Sequence, residues 1–184
     1  MKISKTPVQD LLELDPTVYG DDRGYFLESY NRNTLSNEGI HCDFVQDNQS
    51  RSKYGVVRGL HYQSNPKAQT KLIRVVEGEI YDVALDIRKG SPTYGKWYGT
   101  ILSAENFKQL FIPKGFAHGF SVLSDYATIM YKCDEFYAPE YDGGIIFNDP
   151  ELSIDWKIPT EKIILSEKDS KLPTFANSKH NFEY

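Results

Sequence analysis

Short runs of β-branched and aromatic residues, each closed by Gly, Pro, Asn or Asp, recur along the 184-residue chain. This punctuation constrains the fold most, because it leaves little room for long helices. The runs predict strands over Arg23–Asn31, Phe44–Arg51, Val56–Gln63, Thr70–Val76, Glu79–Ile87, Lys96–Ser103, Gln109–Pro113, Gly119–Leu123, Ala127–Glu135 and Gly144–Phe147. Glu77-Gly78 reads as a tight hairpin between two of them, and Asp86 to Tyr94, with Lys89-Gly90-Ser91-Pro92, as a loop. Helical candidates are few and short; Thr34–Glu38, stopped by Gly39, is one. Many close strands point to an all-β sandwich or barrel. The 13 Tyr, 10 Phe and 2 Trp suit a pleated interior better than a helical bundle. Periodicity leaves an immunoglobulin-like sandwich, a lipocalin-like barrel and a jelly roll open.

At roughly 150 residues per domain, the chain is expected to form one domain over residues 1–184. The charge sum, 21 basic against 26 acidic side chains, is −5, which argues against non-specific nucleic-acid binding. No apolar run approaches the ~20 residues of a membrane span, so no membrane partner is expected. Met1-Lys2-Ile3-Ser4-Lys5-Thr6-Pro7 lacks a hydrophobic signal core. Two cysteines, Cys42 and Cys133, make no disulfide framework. A reducing cytoplasm is therefore the expected location.

Pro113-Lys114-Gly115-Phe116-Ala117-His118-Gly119-Phe120 and Arg58-Gly59-Leu60-His61-Tyr62-Gln63 resemble the two signatures of the cupin double-stranded β-helix. The first cupin motif normally reads His-x-His with a following Glu. Here Gln63 replaces the second His, and Lys67 and Ala68 stand near the place of the Glu. Two histidines are too few for a catalytic metal. The expectation is a cupin jelly roll with no metal, although His61 and His118 each read equally well as packed core histidines.

Such an interior must do acid–base chemistry with its own side chains. His61 is a natural base near neutral pH, best held by a carboxylate. Asp82, Asp86, Asp134 and Asp169 are all candidates for that carboxylate. Tyr131 lies in an apolar strand and can exchange a proton through its phenol, or simply pack. Lys71 lies on a strand with apolar neighbours, where an inward ammonium needs a partner or a function; an outward solvated lysine fits as well. Strand alternation puts Gln46 and Asn48 on one face and Asp47 and Gln49 on the other. Arg58 and His61, three residues apart, fall on opposite faces of a flat strand unless Gly59 carries a bulge. Arg23 and Arg58 suit bidentate phosphate binding, or are ordinary surface charges.

Taken together, these motifs resemble the dTDP-4-dehydrorhamnose 3,5-epimerase family. The resemblance runs from about Val8 to Pro173. Its carriers include Asp22-Arg23-Gly24-Tyr25-Phe26, Phe44-Val45-Gln46-Asp47-Asn48, Lys71-Leu72-Ile73-Arg74-Val75, Asn148-Asp149-Pro150 and Leu165-Ser166-Glu167-Lys168-Asp169, besides the two cupin-like segments. It implies an all-β cupin jelly roll with a few short helices at the C-terminal end. It implies His61 as base, Asp169 as its carboxylate, Lys71 as the clamp on an enolate oxygen and Tyr131 as the acid on the opposite face. From residue pattern alone, Ser166 to Asp169 reads as a helix-capping box. The resemblance further implies Arg23 and Arg58 near the diphosphate of a dTDP-linked 4-keto sugar. Gln46, Asp47, Asn48 and Glu28 are implied at the nucleotide end, and His118, Asp142 and Lys168 at further ligand contacts. It implies a homodimer whose N-terminal strand crosses over, so that Arg23 and Glu28 serve the neighbouring site. Carbons 3 and 5 both flank the ketone, so one base and one acid can invert each with no redox cofactor. Single-centre epimerases share these residues. A sugar-binding cupin would need no acid, base and clamp together, and a metal-dependent cupin would need the ligands that Gln63 displaces.

Overall fold

Alternating inward and outward side chains give this chain two curved sheets rather than one, because both faces of most strands carry apolar residues. The structure, a computed structural model, describes residues 1–184. Its strands are β1 (Lys2–Lys5), β2 (Leu12–Asp15), β3 (Val18–Asp21), β4 (Gly24–Leu27), β5 (Gln46–Lys53), β6 (Val57–Gln63) and β7 (Lys71–Glu77). They continue with β8 (Glu79–Asp86), β9 (Trp97–Ser103), β10 (Gln109–Ile112), β11 (Phe116–Val122), β12 (Tyr126–Cys133) and β13 (Asp142–Gly144). One sheet runs β1-β2-β10-β7-β12-β5 and the facing sheet β13-β6-β11-β8-β9; β3 and β4 form a separate two-stranded ribbon. The neighbouring pairs are antiparallel, as in the expected jelly roll.

Between the sheets lies a core of Ile73, Val75, Leu110, Ile112 and Ile129 from one side and Ile80, Ala84, Leu102, Phe116 and Phe120 from the other. Burying each such aliphatic side chain contributes roughly 1.5–3 kcal/mol. The outer face of the second sheet is covered by the C-terminal segment: Val57, Leu60, Tyr62, Val83 and Leu85 pack against Ile145, Trp156, Phe175 and Phe182. The outer face of the first sheet is capped by α1 (Arg32–Asn37), whose Leu35 meets Leu14, Leu72 and Phe111.

Several expectations change. Gly78 is not a hairpin within one sheet: β7 and β8 belong to different sheets, and Gly78, at φ +74°, turns the chain between them. Arg23–Asn31 is a strand only over Gly24–Leu27, and its partner Val18–Asp21 was not foreseen. The last strand is Asp142–Gly144, not Gly144–Phe147. The helix begins at Arg32 because Asn31 caps it, accepting from the amides of Asn33 and Thr34. The short helical turns Thr160–Lys162, Asp169–Lys171 and Phe175–Asn177 lie near the C-terminus as expected, but α1 does not. No helix is long and apolar enough to cross a membrane.

Candidate active site

The site begins with a defect in β6. His61 pairs with His118 and Arg58 with Phe120, so three residues of steps on β6 oppose two on β11. The extra residue sits beside Gly59, whose φ is +110° and whose added Cβ would meet His118 O and Gly119 Cα at 2.6 Å. Only glycine tolerates both conditions. Val57 and Leu60 consequently both reach the outer core, and Arg58 and His61 both face the space between the sheets. Arg58 crosses that space: its Nε donates to Ser52 Oγ of β5 at 3.2 Å. The bulge raised as a condition in the sequence is present.

Asp169 arrives from a short turn on the C-terminal segment. Its backbone amide donates to Ser166 Oγ at 3.0 Å, half of the capping box. Its carboxylate turns instead to His61 Nε2, 2.6 Å away. Burial resists ionisation of Asp169, but the His61 hydrogen bond and charge, Ser166 and a backbone hydrogen bond from Gly59 together hold its pKa below the usual value. An ionised Asp169 fixes the tautomer with the proton on Nε2, leaving Nδ1, which has no partner in the chain, to accept another.

The other side of the site is built by the first sheet. Lys71 and Cys133 are cross-strand partners, as are Tyr131 and Ile73, so Lys71 and Tyr131 project from neighbouring strands toward the facing sheet. Burial lowers the pKa of Lys71, against the pull of Cys133, Asp142 and Asp82. Burial raises the Tyr131 phenol, Cys133 adds to that and Arg58 opposes it. The phenol therefore keeps its proton near neutral pH. Gln46 and Asn48 share the inner face of β5, and Gln46 Nε2 donates to Asn48 Oδ1 at 3.0 Å. Asp142, opposite Gln63 at the sheet edge, pairs with Lys168, whose pKa it raises.

These groups line one cavity of about 410 Å³: His61, Lys71, Tyr131, Gln46, Asn48, Asp142 and Lys168, with Asp169 behind His61. The remaining sequence candidates fall outside it. Asp47 points to the opposite face of β5 and pairs with Lys132 at 2.9 Å, as strand alternation requires. His118 is buried and gives its Nε2 to Asp82 at 2.8 Å. Arg58 is outside the lining but close enough to act on Tyr131. Arg23, nine-tenths exposed and paired with Asp21, stands at the turn of the β3–β4 ribbon and does not line the cavity. Glu28 lies just beyond that ribbon and accepts from Asn31. Of the open carboxylates, Asp86 belongs to Arg88, Ser91 and Thr93, and Asp134 to the Thr70 amide and Lys114.

Gln69 and Tyr137 also line the cavity and were missed. Gln69 was legible as the residue two before Lys71, on the same face. Tyr137 was not, because its place depends on Gln63. The Gln63 amide donates to Lys67 O (2.7 Å) and Phe136 O (3.2 Å) and accepts from the Ala138 amide (2.8 Å), fastening two rim loops. A larger groove, about 770 Å³, runs beside the N-terminal strands, but its lining has no tyrosine and its histidine, His41, is bound to no carboxylate. Its thiol, Cys42, is pushed up to about 12 by burial and stays inert near neutral pH.

A family model described as dTDP-4-dehydrorhamnose 3,5-epimerase matches residues 5–177. The chain belongs to the dTDP-4-dehydrorhamnose 3,5-epimerase family. A relative from Pseudomonas aeruginosa carrying that name is 51% identical over 179 residues, 97% of this chain and 98% of its own. A crystal structure of the enzyme from Elizabethkingia anophelis is 53% identical, with a TM-score of 0.92 over 96% of this chain and 97% of that one. A dTDP-6-deoxy-D-glucose-3,5-epimerase from Legionella pneumophila, solved with dTDP-4-keto-L-rhamnose, is 49% identical with a TM-score of 0.92, over 96% and 93% of the two chains. Membership makes the chain an isomerase with the cupin-like epimerase fold.

Proposed function

We propose that the chain inverts carbons 3 and 5 of dTDP-4-dehydro-6-deoxy-D-glucose to give dTDP-4-dehydro-L-rhamnose. One observation carries this reading. A carboxylate-backed imidazole from one sheet and a lysine and a phenol from the other open on the same cavity. In each inversion, His61 Nδ1 takes the proton from the carbon beside the 4-keto group. The C–H electrons move into the carbonyl and form an enolate, whose oxygen is stabilised by the Lys71 ammonium. Tyr131 gives its phenolic proton to the opposite face of the same carbon, and the carbonyl re-forms. His61 then loses a proton and Tyr131 regains one by exchange with solvent.

Gln46 and Asn48 bind toward the nucleotide, Arg58 toward the diphosphate, and the Asp142–Lys168 pair closes the cavity edge. Arg23 and Glu28 serve the site of a second copy in a homodimer, consistent with their absence from the lining of their own cavity. The test is incubation with dTDP-4-dehydro-6-deoxy-D-glucose, followed by NMR of the sugar. Inversion at both carbons supports the proposal. Inversion at one carbon, or none, overturns it.

A further inference from the structure

Lys71 has a charge problem that the cavity itself does not solve. Its ammonium makes no hydrogen bond or ion pair within the chain, and its enclosure favours the neutral amine. An enolate clamp works only while it is charged. The groups around it come from every neighbouring strand: Cys133 and Tyr131 (β12), His61 (β6), Asp142 (β13), Asp82 (β8) and, beyond Asp82, His118 (β11).

Most of these are already committed. Burial keeps the Cys133 thiol and the Tyr131 phenol protonated and uncharged near neutral pH. Asp142 carries the Lys168 ammonium, and His61 is bound to Asp169. Asp82 differs. Its carboxylate is entirely enclosed, one oxygen receives His118 Nε2, and the other, Oδ2, is buried with no hydrogen-bond partner. A buried, unpartnered carboxylate oxygen is costly unless its charge is used.

We infer that Asp82, backed by His118, is the positioning residue that keeps Lys71 an ammonium ion inside the cavity. The inference rests on Lys71 as the enolate clamp of the proposed reaction. His118 holds one carboxylate oxygen of Asp82, and the other stays unpaired, so that the carboxylate's charge acts on Lys71 through space.

The test is NMR titration of full-length protein labelled with 13C-lysine, with the Lys71 signal assigned by its loss in Lys71→Met. In the wild type the Lys71 midpoint is expected above neutral pH. In Asp82→Asn it is expected at least about one pH unit lower, as removal of a nearby opposite charge requires. The alkaline limb of kcat should move with it while KM is unchanged. The same midpoint in both proteins overturns the inference. If Asp82→Asn does not fold, the wild type alone decides: Lys71 uncharged at pH 7 overturns the inference, and Lys71 charged there supports it. A lowered midpoint with an unmoved kcat limb supports the role of Asp82 and overturns the enolate role of Lys71, so the two failures are distinct.

Discussion

His61 is a competent base because a single oxygen atom, 2.6 Å away on Asp169, fixes which of its nitrogens is free. Removal of the imidazole in His61→Ala should lower kcat by about 10²–10⁴, the range of a positioned general base, as measured by steady-state turnover. Tyr131→Phe should separate the two halves of the reaction. Proton removal, read as deuterium uptake from solvent, continues, while inverted product falls sharply; an unchanged product distribution would contradict its acid role. Asp169 has a further consequence at low pH. Its folded pKa lies below the 3.8 of a free aspartate. Its contribution to stability is therefore complete above about pH 4 and is lost as the pH falls through the folded value. Urea midpoints across that window should decline less steeply for Asp169→Asn than for the wild type. The carboxylate partner was not readable from residue pattern, because four aspartates fit and the right one lies 108 residues from His61. Only the resemblance singled it out.

Among the elements, β6 carries the most information per residue. Its bulge at Gly59 puts Arg58 and His61 on the same face, where Asp169 holds His61. Gly59→Ala is expected to destabilise the protein by more than about 1 kcal/mol, since a side chain there meets both a positive φ and the backbone of β11. Thermal unfolding measures that change, and kcat should fall with it as His61 loses register. The sequence exposed the glycine and the two possible outcomes; choosing between them needed the β11 pairing. The strands it hid, β1 to β3, are four residues each, lie at or next to a sheet edge or on an exposed ribbon, and mix charged with apolar residues. Nothing in such runs distinguishes them from loops until a partner strand is present. The core strand β8, buried along almost its whole length, was legible because both of its faces carry apolar residues, whereas β11 was read only from Gly119, three residues after it begins at Phe116.

For the molecule as a whole, two sheets with different tasks meet at one cavity. The second sheet supplies the base, and the first supplies the clamp and the acid. The β3–β4 ribbon lies outside both sheets and holds Tyr19, Tyr25 and Phe26 well exposed, each over 60%. If the ribbon completes a partner's site, Arg23→Ala and His61→Ala proteins, each impaired alone, should regain activity on mixing and subunit exchange, because the mixed dimer contains one intact site. Absence of recovery in verified mixed dimers would place Arg23 outside the neighbouring site. The most direct test of the central claim is deuterium exchange with dTDP-4-dehydro-6-deoxy-D-glucose in heavy water, followed by mass spectrometry and NMR. Wild-type protein is predicted to place deuterium at both carbons flanking the ketone, and His61→Ala at neither. Wild-type rates of exchange in His61→Ala would contradict the account.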